Sequence, residues 1–257
     1  MQPPETPPPA NRRAVPRPPH HRPGAPAPWA TLPADRRRGI SLGRVLAALA
    51  DRPPTGPAPG DPAEPWRPLA GYVAPARPAA VLVPLFEEDG EARVILTVRS
   101  DRLRSHTGEV AFPGGRLDGD EGVVAGALRE ASEEVALDPG LATVVAQLTA
   151  MPTVSSNTVM TPVVATLGVR PTLTANPGEV ERVFDVALAD LVAEDAFHEE
   201  WWSVPGRAAA PGFPDGEFPV WFFDVAGETV WGATARTLVE LVCAVLGVEV
   251  PPSLRAR

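Results

Sequence analysis

A chain of 257 residues has room for one sizeable domain with a tail. A net charge of −9 works against general affinity for nucleic-acid backbones, although a local arginine cluster or a metal ion can reverse the field in one cleft. Cys243 is the only cysteine, which excludes an intramolecular disulfide and a cysteine-rich zinc site, and no apolar run reaches the roughly eighteen residues of a membrane helix.

Of the 34 prolines, 20 fall in residues 1–75, and all 23 basic residues are arginine. Residues 1–38 mix proline, arginine and His20-His21 with almost no apolar periodicity. Composition therefore predicts a disordered arm, either a docking segment or an inert tail. The Met-Gln-Pro-Pro-Glu start has neither the basic region nor the apolar core of a signal peptide, so a soluble cytoplasmic protein is the expectation. Residues 39–78 read as a short amphipathic helix at 40–51, with Ile40, Leu42, Val45, Leu46 and Leu49, followed by a Pro-rich connector.

The packed domain is expected over residues 79–250. Residues 79–86 and 93–99 are apolar runs of strand length, and Asp89-Gly90 between them is the turn chemistry of a hairpin. A loop at 100–118 leads to the strongest helix pattern, 119–135. Asp118 is its expected N-cap, Glu121 stands at capping-box spacing, and Asp138-Pro139-Gly140 is the stop. Residues 144–150 and 159–167 read as strands, 183–192 as an extended stretch entering a short helix, and 219–225 as a further strand. Residues 233–246 form a final apolar helix with Cys243 as a packed core thiol. The pattern predicts an α/β (α+β) protein, a mixed sheet covered by helices.

On an ideal helix, Val124, Leu128, Ala131 and Val135 form one core-facing stripe, and Glu130, Glu133 and Glu134 share a turn on the far side. On a solvated surface such acids repel by only about 0.2–0.5 kcal/mol per pair. In a cleft of effective dielectric near 20, two charges about 6 Å apart cost roughly 3 kcal/mol. Either the turn is a solvated acidic face, or a hard divalent cation such as Mg²⁺ or Mn²⁺ offsets the repulsion through oxygen ligands.

From the acids alone the solvated face is favoured, and a resemblance in the surrounding residues tips the reading to the second. Gly115-x5-Glu121-x7-Arg129-Glu130-Ala131-x-Glu133-Glu134 resembles the Nudix box, with Ala136 where the family has its second glycine and Ala131 at an aliphatic position. The resemblance implies a Nudix-type sheet sandwiched between helices, with metal held by Glu130, Glu133 and Glu134 and the Gly115 carbonyl as a further ligand. It also implies that Arg129 orients a carboxylate such as Glu130, with Glu121 in the same network. The box does not fix the general base; Glu179 is a candidate for base or outer metal ligand, and equally for an ordinary surface acid.

Upstream, Leu96-Thr97-Val98-Arg99-Ser100-x2-Leu103-Arg104-x-His106-x-Gly108-Glu109-Val110-x-Phe112-Pro113-Gly114-Gly115 looks like the signature of the coenzyme A pyrophosphatase branch. Val230-Trp231-Gly232-Ala233-Thr234-Ala235 is similar to a later segment of that branch. The resemblance implies hydrolysis of coenzyme A or an acyl-coenzyme A to 3′,5′-ADP and the (acyl-)4′-phosphopantetheine. Arg99 and Arg104 are either bidentate phosphate ligands or surface cations. His106 is a phosphate donor or an incidental loop residue, and Gly114 and Gly115 would admit backbone close to the substrate. Two other readings stay open: a Nudix hydrolase of ADP-ribose, NADH or a nucleoside triphosphate, and a non-catalytic Nudix-fold binding module. The expected partner is a small-molecule substrate rather than nucleic acid or membrane, and a homodimer rests on analogy alone.

Overall fold

The computed structural model describes residues 15–51, 77–103, 105–153, 158–203 and 216–251. Its first segment departs from the disordered arm that composition predicts. Strand β1 (His20–Pro23) pairs antiparallel with a strand far along the chain, His20 opposite Ser203 and Pro23 opposite Glu200. Gly24 donates its amide to the Glu199 carbonyl at 2.6 Å, and Ala25 donates to Glu199 Oε1 at 3.1 Å. Trp29 is 1% exposed, with its ring edge-on to Phe197 at 5.2 Å and stacked on Phe223 at 6.2 Å. A single indole buries about 150–250 Å², which anchors a segment that has no periodicity to display. Ile40 is fully buried, and α1 (Leu42–Leu49) starts at Ser41, whose Oγ accepts from the Arg44 amide at 3.2 Å. The remainder of the arm, residues 1–14, and the connector at 52–76 lie outside the described residues.

β2 (Arg77–Glu88) and β3 (Glu91–Arg99) form the expected hairpin. Asp89 and Gly90 both take positive φ, 54° and 79°, the combination whose twist matches the flanking strands. The stretch expected to be a loop at 100–118 contains β4 (Val110–Ala111), which pairs with β3, and β5 (Gly114–Arg116), which pairs with β2. There follow α2 (Val123–Val135), β6 (Ala142–Gln147), β7 (Met151–Thr153), β8 (Thr158–Leu167), β9 (Val180–Ala187) and α3 (Leu188–Leu191). The chain closes with β10 (Phe197–Ser203), β11 (Glu217–Val225), β12 (Glu228–Trp231) and α4 (Gly232–Leu246).

β2 runs parallel to β8, from Arg77 opposite Thr158 to Leu85 opposite Thr166, and antiparallel to β3 and β5. The eight-stranded sheet, β4-β3-β2-β8-β6 with β5, β7 and β9 attached, is therefore mixed, as expected. A second, antiparallel sheet runs β1-β10-β11-β12. Strands β1, β7, β10 and β12 have no counterpart in the sequence reading. Three of them are three or four residues long, and Glu199-Glu200 interrupts the alternation of β10.

Alternation along β2 sorts the two faces of the main sheet. Ala80, Leu82 and Phe86, with Ile95, Val163 and Ala165, pack on Ala127, Ala131 and Val135 of α2. Val81, Val83 and Leu85 turn the other way, into a core shared with α1, α4 and the inner face of the second sheet. Cys243 lies in that core; burial pushes its thiol up to about 12, so it is inert packing. Among the described residues, no helix is long and apolar enough to cross a membrane.

α2 begins four residues later than its pattern predicts. Asp118 and Glu121 make a turn ahead of it, the Asp118 amide donating to Glu121 Oε2 at 3.2 Å, and the N-cap is Gly122 with no side-chain cap. The helix ends at Val135, as expected, just ahead of Asp138-Pro139-Gly140. Ala136 adopts a left-handed conformation (φ 55°, ψ 33°), and the Leu137 amide reaches the Ala131 carbonyl at 3.3 Å. Alanine there costs about 1 kcal/mol relative to glycine.

Replacing Trp29 with alanine should lower the unfolding free energy by about 3–5 kcal/mol in urea denaturation, as for a core aromatic. A change near zero would show the N-terminal segment to be peripheral.

Candidate functional site

Small residues along α2 decide how the site is built. Gly126, Ala127 and Ala131 are buried, letting the helix sit close on the sheet; a Cβ at Gly126 would run into the Leu117 side chain. That approach shifts the buried stripe away from Val124 and Leu128, which are only partly covered, and draws Glu134 in. The three acids therefore do not share one solvated face. Their side chains are 56% (Glu133), 14% (Glu130) and 4% (Glu134) exposed.

The Gly114 amide donates to Glu134 Oε2 at 3.1 Å, and Arg99 Nη1 stands 3.7 Å from Oε1. Burial pushes the Glu134 carboxyl up to about 7, against the pull of Gly114 and Arg99, with Glu130 and Glu179 adding to the rise. Glu130 is raised as well, chiefly by burial. Both glycines are required by contact. A Cβ at Gly115 would sit 2.5 Å from the Glu130 carboxyl carbon, and one at Gly114 would sit 2.5 Å from the Ala80 carbonyl oxygen.

Arg129 ties the acids together. It donates to Glu121 at 3.0 Å from both Nε and Nη2, to the Arg116 carbonyl at 3.1 Å, and to Glu133 Oε2 at 3.0 Å. Its Nη1 also lies 3.1 Å from Glu130 Oε1. The bond to Arg129 holds the Glu121 carboxyl below its usual range. Glu121 is thus the main partner, and Glu130 and Glu133 share the remaining nitrogen.

Arg99 ends β3, and among the described residues its buried Nε has no hydrogen-bond partner, an uncommon state for a buried donor. Glu179 is exposed at the end of the Asn176-Pro177-Gly178 turn, where its charge raises both Glu130 and Glu134, so it belongs to the same cluster. Two residues that the sequence reading left without a role set that turn. The Ser100 amide donates to the Glu179 carbonyl at 2.8 Å, and the Asn176 amide donates to the Glu134 carbonyl at 2.8 Å. Asn176 Oδ1 accepts from the Gly178 amide at 3.1 Å, an Asx turn whose signal was the Asn-Pro-Gly sequence itself. His106 does not join the cluster: it pairs with Glu109 at 2.9 Å, a bond that raises its proton affinity, and it faces a separate cleft. Arg104 lies outside the described residues.

Among the described residues, no three His, Cys, Asp or Glu side chains stand at common metal-ligand spacing. Arg129 Nη1 contacts both Glu130 and Glu133. The donor chemistry nevertheless fits a hard divalent cation. The acids offer only oxygen, and burial raises the proton affinity of Glu134 and of the half-buried Glu130.

Fold and site together define an α/β protein in which an acidic helical turn lies over a Gly-Gly strand beside an arginine. Residues 76–205 match the family described as NUDIX domain, and the chain belongs to that family. It is 40% identical over 172 residues to Nudix hydrolase 22, chloroplastic, of Arabidopsis thaliana, covering 63% of this chain and 53% of that protein. Nudix hydrolase 15, mitochondrial, of the same plant is 37% identical over 186 residues, with 68% and 60% covered. The uncharacterized Nudix hydrolase NudL of Photorhabdus laumondii is 35% identical over 166 residues, with 64% and 83% covered. The match thus spans little more than half the length of the plant relatives.

A pH dependence of stability follows from Glu134. With its carboxyl raised to about 7 in the fold, the metal-free protein is favoured while this group is protonated and loses stability as pH rises from about 4.5 through 7. The loss attributable to a shift of this size is about 3 kcal/mol. In metal-free buffer at pH 8, Glu134→Gln should therefore unfold at higher urea than the wild type, and the two should converge near pH 5. A variant that is less stable at pH 8 would contradict the burial account.

Proposed function

We propose that this protein hydrolyses the pyrophosphate linkage of coenzyme A or an acyl-coenzyme A with a divalent metal, giving 3′,5′-ADP and the (acyl-)4′-phosphopantetheine. One observation carries the reading. Arg99, whose buried Nε has no hydrogen-bond partner among the described residues, stands 3.7 Å from the buried Glu134, at the strand end that resembles the coenzyme A branch. A guanidinium beside a carboxylate cluster is where an anionic substrate and negatively charged ligands can meet.

Glu130, Glu133 and Glu134, with Gly115, would hold Mg²⁺ or Mn²⁺, which when bound polarises phosphate oxygens and acidifies a water. The chain's own residues do the rest. Arg129, locked by Glu121, keeps Glu130 and Glu133 from splaying under their mutual repulsion. Arg99 holds the diphosphate and stabilises the charge that gathers on its oxygens in the transition state. Glu179, exposed at the rim and tied in place through Ser100, accepts the proton of the attacking water.

Hydrolysis of ADP-ribose, NADH or a nucleoside triphosphate would use the same acids and differ in the contacts beyond the diphosphate. A substrate panel with Mg²⁺ or Mn²⁺ separates these, and coenzyme A should dominate turnover. Dominant hydrolysis of ADP-ribose or NADH would contradict the assignment. Glu134→Gln should remain folded and lose most activity, and Glu179→Gln should lose about 10²–10⁴-fold in kcat. Hydrolysis at the wild-type rate in Glu134→Gln would remove the site from the chemistry.

A further inference from the structure

We infer that the cleft between the N-terminal segment and the loop from His106 to Glu109 is the subsite for the uncharged, amide-bearing arm of the substrate. This inference rests on the reading that Arg99 holds the diphosphate. The cleft has a volume of about 250 Å³. Pockets for whole drug-sized ligands begin near 300 Å³, so this one suits part of a substrate rather than all of it.

Charge narrows the guest. The two carboxylates that line the cleft are each engaged, Glu109 with His106 at 2.9 Å and Glu228 with Arg182. Among the described residues, His106 is the one basic residue of the cleft wall, and it is paired with its own neighbour Glu109. Val15, Pro16 and Trp231 add apolar surface, and Thr107 and Thr229 add hydroxyl groups. Apolar contact with scattered, uncharged hydrogen-bonding groups matches a chain of methylenes and amides.

Position joins the cleft to the site already described. The Arg99 amide donates to the Glu109 carbonyl at 3.0 Å, and the Gly108 amide donates to the Arg99 carbonyl at 2.9 Å. The charge of Arg99 is felt at the His106 ring, whose proton affinity it lowers. A diphosphate on the Arg99 side chain and an arm in the cleft would therefore flank one short stretch of backbone. The opposite wall is firm as well. Val15 packs against the cluster of Trp202, Val220 and Phe222, and Arg17 donates to Glu200 at 2.8 Å while lying 5.1 Å over the Phe222 ring.

The test uses pantetheine, which carries the arm but neither phosphate nor nucleoside. Titrated into the full-length protein and followed by NMR, it should give saturable shifts at Thr107, Thr229 and Trp231. Thr107 is exposed, and Thr107→Trp should fill the cleft and abolish those shifts. The same variant should raise KM for coenzyme A at least tenfold while the inhibition constant of 3′,5′-ADP stays at its wild-type value. Absence of saturable shifts in the wild type overturns the subsite, whether or not coenzyme A is hydrolysed. An equal weakening of 3′,5′-ADP also overturns it, by giving the cleft to the nucleotide. Pantetheine binding in the cleft without turnover of coenzyme A would uphold the subsite and sink the substrate reading instead.

Discussion

The burial of Glu134 beneath α2 is the constraint on which the rest of the site depends. A carboxylate 4% exposed, with one amide at 3.1 Å and one guanidinium nitrogen at 3.7 Å, is undersupplied with partners. Its proton affinity rises until it titrates near neutrality. Every neighbour can be understood from that imbalance. Gly114 comes close enough to donate its amide because it carries no Cβ, Gly115 leaves room for the Glu130 carboxyl, and Arg99 is drawn to the buried charge. The tight seat of α2 on β2 and β5, made possible by Gly126 and Ala127, creates the burial in the first place.

A second consequence concerns Arg129. Isolated on one turn, Glu130 and Glu133 would repel; with Arg129 between them and Glu121 fixing Arg129, they become a braced pair. The brace lies toward solvent and the undersupplied acid lies inward, so the turn has a well-paired outer edge and a poorly paired inner one.

Much of this was legible in the sequence. The spacing from Gly115 to Glu134 placed the acids on one helix, and Asp89-Gly90 announced the hairpin that orders β2 and β3. What escaped was non-local. Helical periodicity put Glu134 on the side away from the core stripe, because an ideal wheel does not register that small side chains at 126, 127 and 131 change which face can approach a sheet. The start of α2 was misplaced because Glu121 serves the Asp118 turn and Arg129 rather than a cap. The N-terminal segment was read as a tail because composition weighs all residues alike. One tryptophan stacked on Phe223 and one buried carboxylate, Glu199, gathering Ala25, Trp201 and Trp221, outweigh its prolines.

If Glu134 is a metal ligand as proposed, a proton and a divalent cation compete for the same buried carboxylate. Calorimetric titration with Mn²⁺ at pH 6.5, in buffers of differing ionisation enthalpy, measures that competition directly. The account predicts saturable binding with release of about half to one proton per ion, falling toward zero at pH 9. Saturable binding with no proton release at pH 6.5, or no saturable binding, would contradict it.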